Sequence, residues 1–195
     1  MQTKGELNKM AEQIVYQGRI IEVINKDVIV GDKTLTFEIA RRAPGVRLIF
    51  VTAKKILLTK EYRHEHSAVD FRLPGGKVFD KLSDYNAFLE SKGDLVEAAK
   101  TAVDREAFEE VGLKPTNKRL FHISKCGATV DWTLYYFIID SFENIDSGQN
   151  LEHGEEIELF WCSHDEARKL AIDGSISEDR SVGVLLRYLE EVKFN

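Results

Sequence analysis

The chain predicts an α+β protein in which strands and helices interleave behind an all-β N-terminal segment. Three observations carry this: residues 1–42 read as short strands with turn punctuation, a long capped helix sits at mid-chain, and later strands are followed by two C-terminal helices. At 195 residues the chain is long enough to bury a sizeable core as one catalytic-sized domain, 43–195, with the N-terminal β segment as an appendage.

In the N-terminal segment, residues 13–16, 19–25, 27–30 and 35–41 are strand-like, and Gly18 and Gly31-Asp32 mark the turns. Residues 47–52 and 55–58 are apolar runs split by Ala53-Lys54, which predicts a hairpin of the central sheet. Residues 70–73 alternate and stop at Pro74-Gly75-Gly76. A helix is predicted over 94–111, opened by the capping box Asp94-x-x-Glu97 and closed by Gly112. Strands follow at 132–139 and 157–161. Ser163, with Glu166 in capping position, opens a helix that Gly174 closes, and 178–192 carries the stripe Val182, Leu185, Leu186 and Leu189.

The hydrophobic share of 43% and charged share of 31% are those of a soluble globular chain, and no apolar run nears the ~20 residues that span a bilayer. No membrane partner is expected. The N-terminus lacks a secretory signal pattern, so the expectation is a cytoplasmic protein. Cys126 and Cys162 lie far apart and read as reduced core thiols. A net charge of −6 argues against a nucleic-acid partner, whose affinity rests on phosphate neutralisation. Carboxylates gathered round a cation would give the same excess of acid, so their positions matter more than their number.

On a helical wheel of the 94–111 segment, Leu95, Ala99, Ala102 and Glu110 fall within roughly 40° of Glu106, and Glu109 about 60° away. The carboxylates thus continue the apolar stripe. Three ionised groups on an inward face repel one another and resist desolvation, so a cation is expected among them. Arg105 can offset one charge through Glu109 at i+4, and the rest suits a hard divalent ion with oxygen ligands, Mg²⁺ or Mn²⁺. The competing reading is a solvated acidic face with local Arg and Lys partners.

The string Glu97-x7-Arg105-Glu106-Ala107-x-Glu109-Glu110-x-Gly112-Leu113 resembles the signature of the Nudix hydrolase family. The signature's opening glycine is matched by Gly76 of Leu73-Pro74-Gly75-Gly76-Lys77. From Lys77 to Val96 there are twenty residues where the pattern has five, an insertion at about 80–93 inside the loop that leads into the helix. Its Tyr85, Phe88 and Leu89 follow helical spacing and predict a short amphipathic helix. Its Lys81, Asp84 and Lys92 are candidates to face substrate. Arg41-Arg42-Ala43-Pro44-Gly45-Val46 and Lys60-Glu61-Tyr62-Arg63 are similar to elements of the ADP-ribose and nucleotide-sugar pyrophosphatase branch.

The resemblance implies an α/β/α sandwich with a mixed central sheet, a small N-terminal antiparallel sheet, and a homodimer whose partner helps build the site. It implies Glu106, Glu109 and Glu110 as metal ligands, the Gly75 carbonyl as a further ligand, and Arg105 as the residue that orients them. Glu155, with Glu152 or Glu156 in reserve, matches a loop glutamate that serves as base or extra ligand. Glu97, on the opposite side of the wheel, reads as a structural cap.

Gly75 and Gly76 allow close backbone approach to phosphate, or simply end a strand. Arg63 is either a bidentate diphosphate ligand or a surface arginine. His64 and His66 read as surface residues rather than a metal pair, and Trp132 and Tyr135 as core aromatics rather than an adenine stack. The implied activity is metal-dependent hydrolysis of a pyrophosphate bond in a small nucleotide, ADP-ribose first. The rivals are a nucleoside diphosphate hexose, a dinucleoside polyphosphate or a nucleoside triphosphate as substrate, or a nucleotide-sensing module without turnover.

Overall fold

The computed structural model describes residues 12–64, 67–151 and 156–193. The N-terminal meander is present: β1 (Glu12–Gln17), β2 (Glu22–Val30) and β3 (Lys33–Arg41) pair antiparallel in chain order. β2 runs unbroken where two strands were expected, because Lys26 and Asp27 keep their backbone pairing with Phe37 and Thr36 of β3. The sheet also takes in a later two-residue strand, β8 (Val130–Asp131), which lies parallel to β3. Residues 1–42 therefore do not complete it alone.

The central strands are β4 (Gly45–Phe50), β5 (Lys55–Arg63), β6 (Ala68–Arg72), β7 (Leu113–Ser124), β9 (Leu134–Asn144) and β10 (Ile157–Ser163). β4 pairs parallel with β9 and β9 antiparallel with β7, which makes a mixed sheet, while β5 pairs antiparallel with both β10 and β6. The hairpin expected across Ala53-Lys54 is not one. β4 and β5 belong to different sheets and are joined at the turn by the Val51–Ile56 bridge and the 2.9 Å bond from Thr52 N–H to the Lys55 carbonyl.

The helices are α1 (Leu82–Ser91), α2 (Leu95–Glu106), α3 (His164–Ile172) and α4 (Asp179–Glu191). β4 explains how they are layered. Its Val46, Leu48 and Phe50 pack with Ala99, Ala102 and Val103 of α2, while Ile49, with Val51 just beyond the strand, packs with Ala167 of α3 and Leu185 of α4. Alternate side chains of a strand point to opposite faces, so a strand apolar but for Arg47 is covered on both, and the result is an α/β/α sandwich. No described helix is long and apolar enough to cross a membrane.

Asp94 Oδ1 caps α2 by accepting from the N–H groups of Val96 at 2.8 Å and Glu97 at 3.4 Å. The Glu97 carboxylate is exposed and pairs with Lys100 at 2.6 Å. The expected helix over 94–111 is α-helical only as far as Glu106 and continues as a π-helical turn, Ala107–Val111. The insertion does form a helix, α1, whose Leu82 and Tyr85 are buried. Leu89, expected to pack, is 36% exposed.

In α4 the buried side chains are Ser181, Val184, Leu185, Tyr188 and Leu189, so Val182 and Leu186 lie at the margin of the stripe rather than on it. Ser163 Oγ accepts from Glu166 N–H at 3.2 Å, as the capping pattern predicts. Cys162 is a core thiol, and burial pushes its pKa up to about 11; Cys126 is half-exposed in the loop after β7 and is not core.

Candidate active site

Past β6 the chain runs alongside β4: Leu48 N–H donates to the Pro74 carbonyl at 2.8 Å and Val46 N–H to the Gly76 carbonyl at 2.9 Å. Gly75 has φ +139°, and a Cβ there would overlap the Val46 carbonyl oxygen. A Cβ at Gly76 would overlap the Glu106 carboxylate. Gly75 thus lets the backbone press against β4, and Gly76 lets it press against the Glu106 carboxylate at the end of α2.

Around them is a cleft of about 270 Å³. Arg63, Gly75, Gly76, Arg105, Glu106, Glu109 and Glu110, all singled out from sequence, line it together. Glu106 is buried, whereas Glu109 and Glu110 are half-exposed, so the three face one cleft with unequal burial. Glu109 and Glu110 lie in the π-helical turn, whose wider winding shifts residues after Glu106 away from α-helical register.

Glu110 accepts the Gly75 N–H at 2.7 Å. Arg105 Nη2 lies 3.0 Å from Glu106, its Nε 3.8 Å from Glu109, and it also donates to the Lys77 carbonyl. Burial raises the Glu106 pKa and Glu109 adds to the rise, while the hydrogen bond and charge of Arg105 oppose it without cancelling it. Behind the site the loop after β9 wraps the helix end: Asn150 N–H bonds the Glu109 carbonyl at 2.9 Å, and Gln149 Nε2 bridges the carbonyls of Glu110 at 2.6 Å and Ile157 at 3.2 Å.

The carboxylates here are an oxygen-only donor set, as a hard divalent cation requires. The carbonyls of Pro74 and Gly76 are taken by β4, whereas no described donor bonds the Gly75 carbonyl. Among the described residues no three His, Cys, Asp or Glu side chains already converge as a metal group, since Glu106 is turned to Arg105 and Glu110 to Gly75 N–H. The residues fit a cation in type, and they line one cleft.

Glu155, Glu152 and His66 lie outside the described residues. Glu156 is exposed and leads into Ile157, which lines the cleft. Arg63 forms a 2.8 Å ion pair with Glu61, and His64 packs edge-on to Tyr62 at 5.2 Å. Tyr135 is core, and Trp132 packs partly buried against the core while lining the cleft, with two guanidinium groups against its ring.

Sequence reasoning missed Arg47. It lines the cleft, is nearly buried, and forms a two-pronged pair with Glu178, with both contacts at 2.8 Å. The signal was available in the form of a lone charge within the apolar run 46–51.

The NUDIX domain family model matches residues 41–180, which is most of the chain and takes in every described residue named above as a site candidate. The chain belongs to the Nudix family. With the family comes its enzyme class, pyrophosphohydrolase, in place of the sensing module. A solved crystal structure described as an ADP compounds hydrolase is similar to this Nudix chain over 96% of each chain, with a TM-score of 0.68 and 16% identity. At that identity the likeness establishes the fold. A comparison with curated proteins gives no match.

Proposed function

We propose that this Nudix enzyme hydrolyses the pyrophosphate bond of a nucleoside diphosphate linked to a sugar, ADP-ribose first, to AMP and ribose 5-phosphate. The observation that carries the reading is one cleft in which Glu106, Glu109 and Glu110 stand beside Gly75-Gly76 and among the cations Arg63, Lys77 and Arg105. Acids that suit a divalent ion and bases that suit phosphate oxygens are what a diphosphate ester requires in one place. The neighbour described as an ADP compounds hydrolase supports the choice of substrate class.

In this reading Glu106, Glu109, Glu110 and the Gly75 carbonyl hold Mg²⁺ or Mn²⁺. A divalent ion bound there neutralises phosphate charge and lowers the pKa of a bound water. Arg105 keeps the Glu106 and Glu109 carboxylates oriented. Gly75 and Gly76 bring backbone close to the phosphates, and Arg63 presents its guanidinium to their oxygens. Glu155 is assigned as base or additional ligand, with Glu152 and Glu156 as reserves.

Glu106→Gln and Glu110→Gln are each expected to lower kcat by about two orders of magnitude or more, with unchanged circular dichroism. Each should also lose the rise in unfolding temperature that divalent cation gives the unsubstituted protein. Near-normal turnover in both variants would overturn the metal assignment.

A further inference from the structure

A second cluster of charge lies on the β3–β8 side of the cleft. The parallel pairing Arg41↔Asp131, continued by the 3.1 Å bond from Arg42 N–H to the Asp131 carbonyl, brings Arg42 beside Trp132. The Arg42 guanidinium sits 4.2 Å from the Trp132 ring centroid and that of Arg180 sits 4.1 Å from it, with Arg180 also donating to the Trp132 carbonyl at 2.8 Å. Arg42 and Trp132 both line the cleft.

This cluster is short of negative charge. Arg47 nearby is neutralised by Glu178, but among the described residues no carboxylate lies within ion-pair distance of Arg42 or Arg180. Burial, and after it the charges of Arg47 and Arg180, lowers the Arg42 pKa. Each cation–π contact is a modest return for guanidinium groups held near one another. Trp132 Nε1 and Arg180 Nη2 are, in addition, buried with no partner among the described residues. An anion rich in acceptor oxygens answers the charge that Arg42 brings to the cleft, and a guanidinium held against an indole is pre-oriented to grip one with two parallel N–H groups.

We propose that Arg42, seated on Trp132, is a specificity-determining residue that binds a phosphoryl group of the anionic substrate. The proposal rests on the pyrophosphohydrolase reading for its substrate class. Its test does not depend on turnover. Methylenediphosphonate, a non-hydrolysable diphosphate, is titrated calorimetrically into the full-length protein with Mg²⁺ present.

Removing one charge-assisted contact should raise Kd about ten-fold or more in Arg42→Ala. Arg42→Lys should recover part of the loss, since an ammonium keeps the charge but not the fork, and Trp132→Leu should weaken binding by unseating the guanidinium. With a nucleoside diphosphate sugar as substrate, Arg42→Ala should raise KM. A smaller rise in Kd for Arg42→Ala, or no binding of the probe by the unsubstituted protein, overturns the proposal. A protein that binds the probe through Arg42 yet hydrolyses no pyrophosphate bond would instead sink the functional reading and leave the subsite standing.

Discussion

Arg47 stands alone as a charge in a strand whose other residues are apolar, and its place is settled by one partner 131 residues away in sequence. Burial by itself would raise the Glu178 pKa, but the two hydrogen bonds and the charge of Arg47, together with the Ser181 hydroxyl, outweigh it and hold the carboxyl down to about 2. A carboxylate with a depressed folded-state pKa contributes stability that is present above its unfolded value, near 4.5, and is lost as pH falls toward about 2. The contribution is on the order of 3 kcal/mol.

Glu178→Gln should therefore destabilise the protein at pH 7 by roughly 3–5 kcal/mol, because Arg47 is left buried beside a neutral group. The gap between variant and parent should narrow as urea unfolding is repeated from pH 5 down to pH 2.5. Parallel curves over that range would show that the pair does not govern acid stability. The residues of the site were legible because Arg105, Glu106, Glu109 and Glu110 fall close together in sequence. Arg47 and Glu178 were not, since nothing in the chain says which distant acid meets which buried base.

Among the elements, α1 shows how an insertion can be read correctly as a helix and wrongly as to its contacts. Tyr85 and Phe88 pack on Phe79 at centroid distances of 5.5 and 5.0 Å, and Asn86 donates at 3.0 Å to the buried carboxylate of Glu22, which also holds Arg41 at 2.6 Å. Helix α1 thus ties the N-terminal sheet to the catalytic layer. Lys81, Asp84 and Lys92 are exposed and do not line the cleft; of the insertion, Asp80 does, 3.6 Å from Arg105.

Replacing residues 80–93 by a short Gly-Glu turn should preserve metal-dependent hydrolysis while changing the ranking of ADP-ribose against hexose-linked substrates. Full activity with an unchanged ranking would make the insertion a surface ornament. Other elements escaped the sequence for stated reasons. β7 slips register at Pro115/Asn117, Asn117/Arg119 and Leu120/His122, and each irregularity breaks the alternation by which a strand is recognised. A short polar turn such as Ala53-Lys54 joins strands of one sheet or of two equally well, and the residues on either side do not distinguish the cases. The π-helical turn has the same composition as an α-helix and left no mark in the sequence.

At the scale of the whole molecule, the layered sandwich followed from the order of strands and helices together with the resemblance, whereas the strand pairing depends on long-range packing that no local pattern records. The N-terminal sheet presents apolar side chains on one face: Ile14, Val30, Leu35 and Phe37 are each more than 40% exposed. An exposed apolar face of this kind suits association, and we propose that a second copy of the protein covers it and helps to complete the site. Sedimentation should give a dimer, and removal of residues 1–42 a poorly active monomer; a monomeric full-length protein would remove the assignment.

The central claim is that the cleft between Gly75-Gly76 and Glu106-Glu110 breaks a pyrophosphate bond with divalent metal. The most direct measurement is to incubate the protein with ADP-ribose and related nucleoside diphosphate sugars, with and without Mg²⁺ or Mn²⁺, and to identify the products by chromatography and mass spectrometry. The account predicts AMP and ribose 5-phosphate, formed only with the cation and lost in Glu110→Gln. Intact substrates throughout the panel, or cleavage that yields ADP and free sugar, would contradict it.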